Sequence, residues 1–230
     1  LNGIEESAVS NLGLRGIRLS LAQTDVLETQ FRAILRAANS GHVRVLLPMV
    51  SQVGEIRRAR EIMKKAAAKL HRRGVAIPDP LPPMGVMIEV PGAALAADAF
   101  AQASDFFAIG SNDLTMYTLA IDRGNEHVAH LFDPLHPGVL RLIQFTATAA
   151  LRARIPVSIC GEMAGDPRYS ALLLGLGIRD LSMTPSSIPR VKQRIREMDM
   201  DAANRRAGVI MDQVDSGRIA TLLDDFNALA

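Results

Sequence analysis

Tryptophan is absent from the 230 residues, and aromatic side chains make up only 4%. So few flat π-faces leave no stacking platform for nucleobases. Charge of one sign is nearly balanced by the other: the formal net charge is +2, with a pI of about 9.0. An excess that small does not by itself draw a nucleic acid. Cysteine occurs once, as Cys160, which excludes an intramolecular disulfide and fits a reducing compartment. No apolar run reaches the roughly 20 residues that span a bilayer. Residues 1–11 are too polar for the apolar core of a signal peptide. A cytoplasmic location, with no membrane insertion and no nucleic-acid partner, is the expectation. The chain opens on Leu1 rather than Met, which reads as a trimmed product, an excised domain or an incomplete record.

What remains is an ordinary globular composition, 48% hydrophobic and 22% charged. Short apolar runs rich in Val, Ile or Phe predict strands over 43–50, 84–90, 105–110, 156–160 and 180–183. Helical spacing predicts helices over 24–40, 51–73, 92–103, 139–154 and 170–176. Residues 191–230 read as one or two further helices, with Leu222, Leu223, Phe226 and Leu229 on one face. Ser51 ahead of Glu55, and Asp166 ahead of Pro167, are helix-start signals, while Gly41 and Gly74 stand where helices should stop. The stretch 73–83 holds four of the twelve prolines and predicts a loop.

This alternation argues for βα units and a parallel sheet. A (β/α)8 barrel is the leading α/β architecture, and a doubly wound sheet the alternative. Only five strands are visible, and a complete barrel usually takes about 250 residues. The expectation is therefore a barrel whose first three strands lie before residue 1. Residues 1–200 would form its C-terminal part and 201–230 a terminal helical tail.

Polar side chains fall at the ends of the predicted strands, the face where barrel enzymes do chemistry. Glu89 ends one strand, Asn112 and Asp113 follow the next, and Cys160 ends a third before Gly161-Glu162. An apolar strand has no packing reason to finish on a carboxylate. Glu89 and Asp113, with an amide beside them, suit a hard cation such as Mg²⁺ that also binds substrate oxygens. The same carboxylates read alternatively as caps of the following helices. Arg123 reads as a clamp for phosphate or carboxylate, or as the partner of Asp122 or Glu126 in a surface ion pair. Arg15 lies between Gly13 and Gly16, which permits close backbone approach to an anion but equally describes a plain loop. Cys160 is either inert core or an acid or nucleophile. The five histidines lack the spacing and the companions of a metal set and read as structural or surface residues.

Several segments together resemble the phosphoenolpyruvate-utilising enzymes. Gly85-Val86-Met87-Ile88-Glu89-Val90-Pro91 resembles their metal-glutamate segment, and Ile109-Gly110-Ser111-Asn112-Asp113-Leu114-Thr115-Met116-Tyr117 their "GTNDLTQY" segment. Ala120-Ile121-Asp122-Arg123-Gly124-Asn125 is similar to the "AVDRGN" of the enzyme I family of the bacterial sugar phosphotransferase system. Cys160-Gly161-Glu162-Met163-Ala164-Gly165-Asp166 resembles that family's "CGEMAGD". The resemblance implies that Glu89 and Asp113 hold Mg²⁺, that Arg15, Asn112, Asp113 and Arg123 bind phosphoenolpyruvate, and that Cys160 protonates the enolate of pyruvate. It further implies a phosphoryl transfer to a histidine and then to a histidine-containing phosphocarrier protein, and a homodimer. The family's phosphohistidine segment is not found in this chain, nor are the early strands that bring two further substrate arginines. Its "NPxLGxRG" reads Val9-Ser10-Asn11-Leu12-Gly13-Leu14-Arg15-Gly16, and "GTNDLTQY" reads GSNDLTMY. Two other readings are the C-terminal domain of a pyruvate phosphate dikinase or phosphoenolpyruvate synthase, and a non-enzymatic remnant that dimerises or regulates.

Overall fold

The computed structural model describes residues 11–228. Leu229, and the Val9-Ser10 part of the arginine loop segment, lie outside the described residues. Each predicted apolar run forms a strand, shorter than its sequence window: β1 Val45–Leu47, β2 Met84–Ile88, β3 Phe107–Gly110, β4 Val157–Cys160 and β5 Asp180–Leu181. All neighbours pair in parallel, in the order β1-β2-β3-β4-β5. A doubly wound sheet would reverse its order at a switch point. This sheet never reverses, so right-handed crossovers place the connecting helices on one face, as in an arc of a (β/α)8 barrel.

The helices follow from apolar stripes. In α2 (Thr24–Ala37) the buried residues Leu27, Phe31 and Leu35 recur every four positions. In α3 (Val53–Arg72) the stripe runs from Ile56 through Ala59, Ile62, Met63, Ala66 and Ala67 to Leu70. Its N-cap is Gln52, one residue later than the serine predicted, because Glu55 reaches back to the backbone N–H groups of both Ser51 and Gln52. The helix stops at Arg73, followed by Gly74 at φ 69°. Gly41 has no such role, since α2 already ends at Ala37.

Two short helices, α4 (Pro91–Leu95) and α5 (Ala97–Ala101), replace the single helix expected over 92–103. The break falls at Ala96, whose ψ of 19° leaves the helical range. The long helix α7 (Pro137–Ala153) starts on His136, whose ring Nδ1 accepts from the Gly138 N–H, so this histidine is a cap. Asp166 caps α9 (Pro167–Gly175) as predicted. Beyond β5, α10 (Ile188–Arg196), α11 (Met200–Met211) and α12 (Ser216–Ala228) fold back on α9. Ala171, Ala203 and Phe226 meet there in a small second apolar cluster.

Among the described residues the one or two helices read over 191–230 are three, α10 to α12, and the sequence reading missed α1 (Ile17–Ala22), α6 (Ser111–Leu119) and α8 (Glu162–Gly165). All are short, and α6 opens on Ser-Asn-Asp, residues that favour turns as readily as helix starts.

The two ends of the sheet do different work. At the N-terminal end, Asp105 accepts from the Met84 N–H at 2.7 Å and from Arg60 at 2.9 Å. That clip joins the starts of β2 and β3. Asp105→Ala leaves a buried N–H without its acceptor, a loss of about 1–3 kcal/mol of stability. Urea denaturation should show that loss, while ligand binding at the opposite end stays unchanged.

Candidate functional site at the carboxyl ends of the strands

Six side chains singled out from sequence converge where β2, β3 and β4 end. Glu89 directly follows β2 and is only 4% exposed. Its Oε1 accepts from the Met49 N–H at 2.5 Å. Met49 stands in the turn after β1 at φ 58°, a left-handed conformation that brings its N–H to this corner. Asn112 and Asp113 occupy the first turn of α6, which begins immediately after β3. Asp113 lies close enough to Glu89 for its charge to act on that carboxyl. Neither carboxylate caps a helix: α4 and α6 have no side-chain cap bond.

Burial raises the Glu89 carboxyl to about 7, and the charge of Asp113 pushes the same way. The Met49 N–H and Arg15 oppose the shift without cancelling it. Two carboxylates in one half-dry corner cannot both ionise comfortably, and a divalent cation resolves that conflict. Among the described residues no group of three or more His, Cys, Asp or Glu side chains converges for a metal. A two-carboxylate set suits Mg²⁺, which keeps several water or substrate oxygens in its shell.

Arg15 reaches the pair from the loop before α1. Its Nη2 lies 3.7 Å from Asp113 Oδ2, and its Nη1 donates to Asn11 Oδ1 at 3.0 Å and to Tyr117 Oη at 3.4 Å. The neighbouring Gly16, at φ 57°, seats that loop: a Cβ there would stand 2.7 Å from the Met49 Cβ. Tyr117, one helical turn after Asp113, also donates to the Asn11 carbonyl. Sequence reasoning gave Tyr117 no role, although its i,i+4 spacing from Asp113 places both on one face of α6.

On the other side of α6 stands Cys160, the last residue of β4. Its Sγ donates to the Ile109 carbonyl at 3.5 Å. Burial pushes the thiol above its ordinary value, and the charges of Glu89 and Asp113 add to the effect. The thiol is therefore protonated at neutral pH. The turn after it is held against α6. Ser111 Oγ donates to the Cys160 carbonyl at 2.7 Å, and the Glu162 N–H donates to Asn112 Oδ1 at 3.2 Å. Gly161, at φ 99°, leaves no room for a side chain: a Cβ would sit 2.4 Å from Ser111 Oγ.

Arg123, in the loop after α6, pairs with Glu162 and not with Asp122 or Glu126, the surface partners considered from sequence. Its guanidinium lies over the Phe132 ring, 4.6 Å from the centroid. A cleft of about 820 Å³ opens beside these groups, lined by Asn112, Cys160 and Glu162 on one side and Ser182, Thr184 and Arg190 on the other. The last three were not singled out from sequence. Their signal was the polar run that follows β5.

The raised Glu89 carboxyl carries a stability consequence. Below about 4.5, its ordinary value, the group is protonated folded or unfolded. Between that value and about 7 the folded state keeps a proton that the unfolded state has lost, so stability falls as pH rises. Above 7 the loss is complete, on the order of 3 kcal/mol. In metal-free buffer, Glu89→Gln should match the parent at pH 4 and be clearly more stable at pH 8. Melting temperatures at the two pH values measure this.

The description "PEP-utilising enzyme, PEP-binding domain" matches residues 3–200. A phosphoenolpyruvate-protein phosphotransferase of Cupriavidus necator is 49% identical over 203 residues, covering 88% of this chain and 34% of that protein. A protein of the same name from Haloferax volcanii is 45% identical over 216 residues, covering 92% of this chain and 38% of its own length. The one from Haemophilus influenzae is 40% identical over 215 residues, 94% of this chain and 37% of that protein. The chain thus spans little more than a third of these relatives. In structure it is similar to a citrate lyase of Burkholderia xenovorans, with a TM-score of 0.55 and 18% identity over 88% of this chain and 69% of that one. That likeness is one of fold alone. With the family description spanning most of the sequence, this chain belongs to the PEP-binding domain family of the PEP-utilising enzymes.

Proposed function

We propose that the strand-end face binds phosphoenolpyruvate with Mg²⁺, as part of a phosphotransferase that moves the phosphoryl group to a histidine of its own polypeptide. From there a histidine-containing phosphocarrier protein receives it. The observation that supports this most is the confrontation of Glu89 with Asp113 beside the Arg15 guanidinium. Phosphoryl transfer is mostly positioning and charge neutralisation, and this corner offers both.

On this reading Glu89 and Asp113 hold the cation, which supplies electrostatic neutralisation of the substrate oxygens when bound. Arg15, Asn112 and Arg123 orient the phosphate and carboxylate. As the P–O bond breaks, a P–N bond forms to the acceptor histidine and the enolate of pyruvate leaves. That enolate takes a proton at its methylene carbon, and Cys160 supplies it. A thiol held protonated by burial suits an acid better than a nucleophile. A homodimer in the cytoplasm completes the reading. The unpaired edges of β1 and β5 among the described residues support self-association, and no helix among them is long and apolar enough to cross a membrane.

A place in a pyruvate phosphate dikinase or phosphoenolpyruvate synthase would use the same face. The names of the relatives above favour the protein phosphotransferase. A non-enzymatic remnant has no need for six converging polar groups.

Calorimetric titration of this chain with phosphoenolpyruvate tests the reading. With Mg²⁺ present we expect millimolar affinity or weaker, on the order of −4 kcal/mol. Asp113→Asn should abolish the Mg²⁺ dependence, and Arg15→Ala should weaken binding roughly ten-fold. Binding indifferent to both Mg²⁺ and Asp113 would sink the proposal.

A further inference from the structure

Arg123 belongs to a long loop with little secondary structure of its own between α6 and α7, so the loop backbone alone is a poor support for an arginine in a binding site. Two contacts hold its guanidinium. Phe132 lies against its flat face at 4.6 Å, which fixes the plane. Glu162 accepts from Nη2, which fixes rotation within that plane. Among the described residues Nε and Nη1 have no partner and Nη2 carries a second N–H, so the fork keeps donors for an anion.

Glu162 is itself held. Its N–H donates to Asn112 Oδ1 at 3.2 Å, on the helix that carries Asp113. It follows Gly161, whose missing Cβ leaves room for Ser111, and the Cys160 carbonyl accepts from that serine at 2.7 Å. One turn therefore ties together the thiol, the amide and the guanidinium.

From this we infer that Glu162 is a positioning residue: it holds the Arg123 guanidinium in one orientation with donors left for an anion, so that the guanidinium and the Cys160 thiol keep a fixed relation. The inference rests on the reading of Arg123 as an anion-binding residue. Glu162 touches no substrate in this account and acts through the arginine. Its side chain is 68% exposed, so truncating it opens no core.

The test uses the chain itself and two readouts. Nitrogen-15 relaxation at Arg123 Nε reports how rigidly the guanidinium is held without any ligand. Titration with phosphoenolpyruvate in Mg²⁺, followed by NMR shifts, reports binding. Glu162→Ala should mobilise Nε, to an order parameter below about 0.6, and weaken binding roughly three- to ten-fold. Glu162→Gln keeps an acceptor and should stay close to the parent in both. Arg123→Ala combined with Glu162→Ala should bind no worse than Arg123→Ala alone, because the two act as a unit. An Nε as ordered in Glu162→Ala as in the parent overturns the inference. So does tighter binding in both Glu162 variants, which would make the carboxylate a competitor for the arginine. Additive losses in the double variant overturn it too. If Glu162→Ala mobilises Nε but Arg123→Ala leaves binding unchanged, the positioning stands and Arg123 drops out of the proposed substrate site.

Discussion

The closeness of Glu89 and Asp113 governs the rest of this molecule. A buried carboxyl beside a second one costs folding free energy at neutral pH, and nothing in packing requires it. The fold nonetheless goes to some length to create it. Met49 adopts a left-handed backbone to aim its N–H at Glu89, and α6 starts without a linker after β3, which puts Asp113 over the same corner. On the proposed reading, a cation would turn this conflict into an attraction, and the anionic oxygens of a substrate would find a site already neutralised.

Parallel pairing explains why these groups meet. In a consecutive parallel sheet every strand delivers its carboxyl end to the same rim. Residues far apart in sequence, such as Glu89, Asp113 and Cys160, become neighbours through register alone: Ile88 pairs with Ile109, and Gly110 with Cys160. The opposite rim uses its one notable carboxylate, Asp105, for stability. Asp105 thus shows that a carboxylate near a strand is not in itself a site.

Much of this was legible in the sequence. The strands could be read because they are short, apolar and bounded by polar or glycine residues. Glu89, Asp113 and Cys160 stood out because each interrupts or ends such a run. The resemblance of four segments to one family carried the rest. What could not be read depended on contacts distant along the chain. Helix α6 looks like a turn from its opening Ser-Asn-Asp, and only the strand before it fixes it as a helix. The partner of Arg123 was sought among its sequence neighbours Asp122 and Glu126, but the fold brings Glu162 from the next strand end. Nothing beside Cys160 in the sequence announces that burial together with the two carboxylates raises its thiol. Burial and long-range charge have no local signature.

We propose that Glu89 and Asp113 form one divalent-cation site at the strand ends. Crystals of the chain grown with Mn²⁺ in place of Mg²⁺ address it directly through anomalous scattering. A single peak within bonding distance of both carboxylates, lost in Asp113→Asn, is the expected result. A peak bound elsewhere, or no peak at all, would contradict it.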